Sequence, residues 1–338
     1  MKFKISFLSV LFLFAVEAGA QSYFYNNNYF DNDVIYEAGI SFGPMNSLTD
    51  IGGTPGLGQK GPKDLNIKST TLFGSIYGMA FYKHFLGFRA EATIGSVKSN
   101  DSLLSGIGTT NKAIGRYNRN LSFRSPVYEF SLTTELHPVE LLSIFDPEKS
   151  PPRLSPYLIG GIGVFHFNPQ ANLNGQWVDL RPLHTEGEGF SEYPDRKEYK
   201  LNQINIPLGI GVLYEVSPKF NVRLEYISRK LFTDYLDDVH STYIDPTLFS
   251  KYLTGNQLTE ALILNNRRKP GVPDPLTTAR PGGRRGNPYN NDSYFTVNLK
   301  VGFVFGREST VGGGGASGQS SRRLLKMQKR QRQCPGLF

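Results

Sequence analysis

Three aspartates in one short segment come closest to a metal-binding pattern in this chain. Asp234, Asp237 and Asp238 lie within the stretch FTDYLDDV, and carboxylate oxygens are the ligands that Ca²⁺ prefers. Their spacing is not the alternating one of an EF-hand loop, and no glycine lies at the turn. Solvated loop carboxylates or local hydrogen-bond caps fit the segment better. We therefore expect no metal site and no cofactor.

The histidines and serines do not assemble a catalytic pattern. The five histidines are scattered, with neither an HExxH motif nor a paired spacing. A lipid-modifying membrane enzyme would need a serine, a histidine and an acid that converge at one rim. His166, His240 and Ser241 are the candidates, and nothing in the sequence selects them. We expect a non-enzymatic protein without catalytic residues, and the enzyme stays a third alternative.

The start of the chain indicates export. A short positive region precedes an apolar run at 5–16, and Ala18-Gly19-Ala20 matches a small-x-small cleavage pattern. This is the pattern of a secretory signal peptide, so we expect residues 1–20 to be removed. No later segment has the eighteen consecutive apolar residues of a membrane-spanning helix. One cysteine in 338 residues excludes an internal disulfide framework and a cysteine-based zinc cluster.

Alternation of apolar and polar residues predicts β-strands in most of the remaining chain. The clearest case is YFTVNLKVGFVF, which places Leu299 and Val301 on one face and Lys300 on the other. Two segments, near 71–83 and 155–167, are apolar on both faces, so their orientation stays open. The predicted strands are 34–42, 71–83, 88–94, 126–136, 155–167, 205–214, 220–226 and 294–305.

Eight strands with one apolar face each fit either a secreted β-sandwich or a membrane barrel. The connections are mostly long at one end and shorter at the other, as in outer-membrane barrels with short periplasmic turns. Aromatic residues near strand ends, with Phe81, Phe165 and Phe167 among them, would form an interfacial girdle. We therefore predict an all-β fold: an eight-stranded antiparallel transmembrane β-barrel with long outer loops, located in the cell outer membrane.

Charged residues recur in the middle of the polar strand faces. An eight-stranded barrel is just wide enough for side chains to fill, and an unpaired buried charge costs several kcal/mol. A salt-bridged plug therefore fits better than an ion path, and a general diffusion porin is excluded. The predicted barrel-interior charges are Glu37, Arg89, Glu91, Glu129, Glu135, Arg223, Glu225 and Lys300.

The predicted organisation has four parts. A signal peptide (1–20) precedes an N-terminal periplasmic segment (21–33), the barrel (34–306) and a flexible basic C-terminal tail (307–338). The tail carries much of the net charge of +8. Barrel parity places it in the periplasm, which holds no nucleic acid, so nucleic acid is not an expected partner. Anionic lipid, an acidic partner or solvent remain for the tail.

Two segments resemble a known family. SFGPMNSLTDIGG follows the first strand, and RKLFTDYLDDVHSTYID follows the seventh. With the signal peptide and eight strands, they resemble the PorG-like outer-membrane β-barrel proteins of the type IX (Por) secretion system. The long basic insertion at 254–291 and the tail depart from a compact pattern. The most specific stretch comprises Phe232, Thr233, Asp234, Tyr235, Leu236, Asp237, Asp238 and Val239.

The resemblance implies a non-enzymatic barrel that anchors or docks a periplasmic ring to the outer membrane. Its partners would be the ring subunits and outer-membrane lipid. The alternative is a generic small barrel for adhesion or ligand binding through its outer loops. The first interpretation places the functional surface on the periplasmic side of the barrel, and the second places it on the outer loops.

A periplasmic ring could reach only the short-loop side, where the connection 138–154 is the longest. It joins an apolar patch to a charged, proline-rich end, and apolar anchors beside a polar rim suit a protein interface. The alternative is that the patch packs under the barrel floor. The candidate partner-docking residues are Leu141, Leu142, Ile144 and Phe145.

Overall fold

The computed structural model describes residues 29–54, 66–106, 108, 111, 113–143, 154–217, 219–269 and 280–309. Several predicted features lie outside these residues: the signal peptide, the start of the N-terminal segment, Ile144 and Phe145, part of the basic insertion and the tail beyond residue 309.

Eight antiparallel strands close into a barrel, which confirms the predicted fold. Each strand pairs with the next barrel strand in the chain, and the last pairs with the first. The hydrogen bonding therefore leaves no open edge, as a membrane-spanning sheet requires. The strands are β1 (Tyr29–Leu48), β2 (Thr71–Tyr82), β3 (Leu86–Asn100), β4 (Ser122–Leu136), β5 (Leu154–Phe167), β8 (Asn202–Ser217), β9 (Phe220–Leu231) and β10 (Ser293–Ser309).

The first and last strands extend beyond the predicted barrel limits. Residues 29–31 of β1 pair with residues 307–309 of β10, so the paired sheet passes positions 34 and 306 at both ends. The sequence there does not alternate. Alternation is required only where one strand face meets lipid and the other meets the interior, which is why the pattern underestimates these strands.

The outer wall is apolar, and the interior is polar on the side of the short loops. The two strands of open orientation are now assigned. On β2, Leu72 and Ile76 face outward and are 78% and 65% exposed, whereas Tyr77 points inward. On β5, Leu158 and Ile162 face outward. Charges inside and apolar side chains outside is the arrangement of a membrane-spanning barrel.

Three aromatic residues do not belong to the predicted interfacial girdle. Phe81, Phe165 and Phe167 are buried inside the barrel. Phe165 and Phe167 stack on each other and belong to an apolar core near the long-loop end, together with Tyr294. Both faces of β5 are apolar because its inner face contributes to this core.

The long loops fold into structure that the alternation pattern does not predict. A hairpin of β6 (Gln170–Leu173) and β7 (Gln176–Asp179) continues beside β4. The helices there are α1 (Ile114–Arg119), α3 (Phe249–Tyr252) and α4 (Gly255–Asn265); α2 (Pro138–Ser143) lies at the short-loop end. In the part of the chain that is described, none of the helices has the length and hydropathy to cross a membrane.

Candidate functional site

A network of ion pairs fills the barrel interior on the side of the short loops. Arg223 donates to Glu37 Oε2 at 2.8 Å and to Glu135 Oε2 at 2.7 Å. Arg89 Nη1 lies 2.6 Å from both Glu135 Oε1 and Glu225 Oε1. Each cation therefore bridges two strands, and Glu135 joins the two arginines. The network occupies the space that a channel would need.

Lys300 extends this network, and Arg229 forms a separate buried ion pair. Lys300 Nζ lies 2.6 Å from Glu91 Oε1, and Arg229 pairs with Glu129 at 3.2 Å. All eight predicted interior charges are buried. Arg229 is an interior cation that the alternation missed, because the predicted strand ended at Tyr226 whereas β9 continues to Leu231. The signal was the continued spacing of Arg223, Glu225 and Arg229 along one face.

The two family-like segments meet above the barrel. Asp237 Oδ2 accepts a hydrogen bond from the Ile51 backbone N–H at 3.0 Å, and its Oδ1 accepts from Val239 N–H at 3.0 Å. Asp292 Oδ2 accepts from the Leu236 N–H at 2.9 Å. The FTDYLDDV turn is therefore held to the loop after β1 and to the start of β10 by buried carboxylates.

One guanidinium links three of the long loops. Arg119, in the loop after β3, pairs with Asp101 at 2.9 Å. It also donates to the backbone carbonyl of Asp50 at 2.7 Å and to that of Arg285 at 2.5 Å. Asp101 Oδ1 in turn accepts from Gly52 N–H at 2.9 Å. These bonds fix the loops after β1, β3 and β9 relative to one another.

The fourth long loop joins through Glu186. Its carboxylate pairs with Arg285 at 2.9 Å and accepts from the His240 and Ser241 backbone N–H groups at 3.0 and 2.7 Å. We name the resulting assembly the long-loop cap. Its ionisable members are Asp50, Asp101, Arg119, Glu186, Glu188, Asp234, Asp237, Asp238, Arg285 and Asp292.

The sequence profile of one family matches residues 23–256 of the chain, which is more than half of it; its description is "Domain of unknown function (DUF6089)". The chain belongs to the DUF6089 family. The match includes the FTDYLDDV stretch and both partners of the Asp237–Ile51 contact. No curated protein matches the sequence.

Solved barrels are similar to this DUF6089 chain at low identity. Neisserial surface protein A is 9% identical, with a TM-score of 0.34, over 82% of this chain and 99% of that one. The attachment invasion locus protein Ail of Yersinia pestis, in complex with a heparin analogue, is 11% identical, with a TM-score of 0.32, over 80% and 99%. A major outer membrane protein from Thermus thermophilus is 12% identical, with a TM-score of 0.33, over 80% and 99%. TM-scores this low carry no weight, so the barrel assignment rests on the strand pairing.

The DUF6089 cap corrects one sequence interpretation. Asp234, Asp237 and Asp238 are 4%, 0% and 1% exposed, so they are not solvated loop carboxylates. The alternative, a local hydrogen-bond cap, holds for Asp237, which accepts from the Val239 N–H two residues on. Asp238 holds loops together: it accepts from Thr185 Oγ1 and Tyr199 OH at 2.5 and 2.7 Å. Sequence alone could not show this burial, because the groups that exclude water come from distant loops.

The metal and enzyme candidates have other partners. Within the described residues, no group of three or more His, Cys, Asp or Glu side chains is arranged to hold a metal ion. Ser241 Oγ donates to Glu186 at 2.7 Å, His240 Nδ1 contacts Asp234 at 2.8 Å, and His166 Nδ1 contacts Asn202 at 2.8 Å. Neither histidine contacts the serine hydroxyl in these bonds, so they give no nucleophile–base pair.

At the short-loop end, the candidate docking residues lie on α2. Leu142 is 68% exposed, whereas Leu141 is half-buried. The helix is attached to the barrel through the Leu141 N–H, which donates to the His137 carbonyl at 3.0 Å, and the His137 N–H, which donates to the Phe85 carbonyl at 2.8 Å. Leu142 is therefore presented away from the barrel on a fixed turn.

Burial raises the pKa values of several carboxyls in the cap. Desolvation, with the nearby Asp50 and Glu186 carboxylates, raises the pKa of Asp234 to about 9. Desolvation, with Asp238 and Glu186, raises the pKa of Glu188 to about 8. Desolvation also raises the pKa of Asp238 to about 6, although Arg285 opposes it. The folded cap therefore holds protons that an unfolded loop would release near pH 4.

We expect the cap to loosen as the pH rises. The folded carboxyls have raised pKa values, so their stabilising protonation is complete below about pH 4. It is lost as the pH rises through the folded pKa values, about 6, 8 and 9. Hydrogen exchange at residues 232–243, corrected for its intrinsic pH dependence, should show the opening free energy fall by at least about 1.4 kcal/mol, the equivalent of one pKa unit, between pH 5.5 and 9.

The matched variants are Glu188→Gln and Asp234→Asn, which keep the shape of the side chains and remove their titration. The double variant should show a clearly smaller fall with pH than the wild type. Some pH dependence should remain, because burial also raises the pKa values of Asp237 and Asp292. Exchange in β9 should stay unchanged in both proteins as an internal reference. If raising the pH lowers the protection of the double variant as much as that of the wild type, these two carboxyls do not control the cap.

Proposed function

We propose that this DUF6089 protein is a non-enzymatic component of the type IX protein secretion machinery, which anchors or docks a periplasmic ring to the outer membrane. The filled interior carries the proposal. Arg89, Arg223 and Lys300 are at most 2% exposed and ion-paired inside the barrel. Folded cargo cannot pass such a barrel, so a role in secretion has to be that of an attachment point.

The link to the type IX system comes from the sequence resemblance. The DIGG and FTDYLDDV stretches that carry it are in contact through Asp237 and Ile51. This contact supports treating them as one functional unit rather than as two coincidental matches. Because the rest of the barrel could belong to many proteins, the cap is the part that supports this particular assignment.

The orientation follows from export and loop length. A signal peptide sends the chain out of the cytoplasm, and long loops of outer-membrane barrels face outward. The long-loop cap then faces the exterior, and α2 faces the periplasm. Of the candidate docking residues that the structure describes, Leu142 on α2 is the exposed one and is open to a ring subunit.

Changing Leu142 and Phe145 together to Asp should release the ring while the barrel still inserts. Two apolar anchors lost from an interface centre, at about 2 kcal/mol each, should lower ring recovery far more than tenfold. The measurement is crosslinking in membranes, followed by recovery of ring subunits and an assay of type IX cargo export.

The matched control is Ile67→Asp, because Ile67 is 78% exposed at the opposite end of the barrel. It should leave ring recovery and export intact. Normal recovery with the Leu142 and Phe145 change would place the docking site elsewhere, and normal export in a deletion strain would remove the secretion role itself.

The second candidate function is adhesion or ligand binding through the outer loops. The observation that favours it is the hydrogen-bonded cap, in which Arg119 and Glu186 join the described parts of all four long loops. A fixed loop surface suits recognition. It predicts that Arg119→Gln impairs binding to an outer ligand but leaves cargo export unchanged.

A further inference from the structure

Two cations lie directly opposite each other on the outer face of the barrel wall. Lys98 of β3 is the register partner of Arg124 of β4. Both alternate with buried neighbours and therefore point outward, on the same face as Ile94 and Tyr128. Like charges directly opposite on neighbouring strands destabilise a sheet. An anion between the two cations would offset this repulsion.

The depth of the pair matches the lipid headgroups. Lys98 is twelve residues beyond Leu86, the first residue of β3. At about 3.3 Å per residue and a tilt of about 40°, this is about 30 Å along the membrane normal, just beyond an apolar band about 25 Å tall. The outward residues between them include Phe88 and Ile94, which are 55% and 64% exposed.

The loop hairpin orients one of the cations. The Arg124 guanidinium lies over the Trp177 ring, 4.2 Å from its centroid, and Nη2 donates to Gln170 Oε1 at 2.8 Å. The remaining N–H groups of the guanidinium fork are not used in these contacts. Stacking on an indole holds a guanidinium plane in place. Because Arg124 Nε is buried without a hydrogen-bond partner and Nη2 is bonded to Gln170, Nη1 is the nitrogen left for an oxyanion.

A third cation stands next to them. Arg267 Nη1 donates to Ser122 Oγ at 3.4 Å and to the Asn172 carbonyl at 3.1 Å. Ser122 is two residues from Arg124 on the same face of β4. Arg267, in the loop after α4, therefore contacts the outward position of the strand next to that of Arg124. Three positive groups therefore gather at one point of the rim.

Among the described residues, no carboxylate forms an ion pair with this group. The described salt bridges of the long loops, which include Arg119–Asp101, Arg181–Glu198 and Lys251–Glu192, do not involve these three cations. The carboxylate connected to them is Asp179, which accepts from the Gln170 side-chain amide at 2.7 Å and from Asn168 at 2.9 Å. It reaches Arg124 only through the Gln170 amide, so the positive field at the rim is left for an external anion.

We propose that Lys98 and Arg124, with Arg267 beside them, bind a phosphate of an outer-leaflet lipid headgroup. The phosphate would bridge the lysine ammonium and the guanidinium edge and relieve their repulsion. The acyl chains of the same lipid would lie against the apolar wall formed by Ile94 and Tyr128. The proposal uses the outward orientation of the long loops but not the secretion role, so it stands or falls separately from it.

The test uses the full mature protein in a neutral detergent, with diphosphoryl lipid A as the probe. Binding is measured by native mass spectrometry and by the increase in thermal stability that lipid A gives. The Lys98→Gln, Arg124→Gln double variant should bind lipid A at least about tenfold more weakly than the wild type. Without lipid A, Lys98→Gln should be at least as heat-stable as the wild type, since the repulsion is gone.

The matched control is Lys230→Gln. Lys230 is also exposed on the outer face near the long-loop end, but the residues opposite it are Ile206 and Ser293. This variant should bind lipid A as the wild type does. If the double glutamine variant does not form a heat-modifiable barrel, Lys98→Gln is compared with the charge-conserving Lys98→Arg, which should keep binding.

Four results would overturn the proposal. The first is unchanged lipid A binding in the double variant. The second is an equal loss in Lys230→Gln, which would mean general attraction to a basic rim. The third is equally tight binding of dephosphorylated lipid A, which would point to acyl-chain packing. The fourth is displacement of lipid A by millimolar inorganic phosphate, which would point to a free-anion site.

Discussion

Replacing Arg223 with methionine should destabilise the barrel by about 3–5 kcal/mol. The methionine fits the buried space but leaves Glu37 and Glu135 without the guanidinium that now contacts them at 2.8 and 2.7 Å. Glu37 keeps bonds from Tyr77 and Asn221, and Glu135 keeps Arg89. Tyr77 and Asn221 are neutral, so the negative charge of Glu37 stays buried without a cation.

The measurement is urea unfolding of the protein reconstituted in lipid vesicles, followed by tryptophan fluorescence and heat-modifiable mobility. The control is Leu224→Ala at the next position of β9, which faces lipid and is 58% exposed; it should cost much less. The double variant Arg223→Met, Glu37→Gln should be more stable than Arg223→Met alone, because it removes the orphaned charge. Equal stability of Arg223→Met and the wild type would mean that water, rather than ion pairs, compensates the interior glutamates.

The barrel could be predicted because a bilayer imposes a period on the chain. Lys300 between Leu299 and Val301 can satisfy lipid outside and ion pairs inside in only one orientation. The same argument could not orient β2 and β5, because the aromatic residues Tyr77 and Phe165 point inward. Alternation identifies a lipid face only when the opposite face is polar, and those strands contribute to an apolar part of the interior.

The cap could not be predicted, because nothing local records its contacts. Asp237 and Ile51 are 186 residues apart in the chain, and Arg119 had no feature that distinguished it from a solvated arginine. The segment FTDYLDDV stands out in the sequence for its resemblance alone. A physical signal was present in it: Leu236 and Val239, both fully buried, interleave with the aspartates and indicate a packed turn rather than a solvated one.

One loop element carries a local sequence signal that alternation does not detect. The hairpin of β6 and β7 turns at Asn174-Gly175, both with positive φ, 52° and 89°. Asn-Gly between two short segments is the strongest short-range signal for a two-residue hairpin. Its strands are only four residues long, too short for alternation to be seen. The hairpin matters because it carries Trp177, which orients Arg124 on the outer wall.

Replacing Leu299 or Val301 with arginine should destabilise the membrane-inserted barrel by about 2–4 kcal/mol. Both side chains are on the outward face in the central part of β10, each 39% exposed. Their outward neighbours across the sheet are apolar: Leu299 pairs with Phe42 and Leu224, and Val301 pairs with Ile40 and Val222. An arginine there must either stay charged in lipid or bend toward the interface, and both cost free energy.

Lys300→Glu should destabilise the barrel for a different reason, and comparing lipid vesicles with detergent micelles distinguishes the two effects. It places a carboxylate where Lys300 Nζ now lies 2.6 Å from Glu91 and 3.6 Å from Glu225, so the repulsion is internal and should persist in both lipid and detergent. The penalty for Leu299→Arg should shrink in detergent micelles, whose headgroups and water reach the wall more easily than in a bilayer. Lys300→Met should be intermediate, because it leaves Glu91 with the Arg89 Nε contact at 3.3 Å. Folding yield and unfolding free energy in vesicles and in micelles give the comparison. Equal tolerance of arginine at 299 and 301 and of glutamate at 300 in the bilayer would contradict the facing of β10 and, with it, the ion-paired interior.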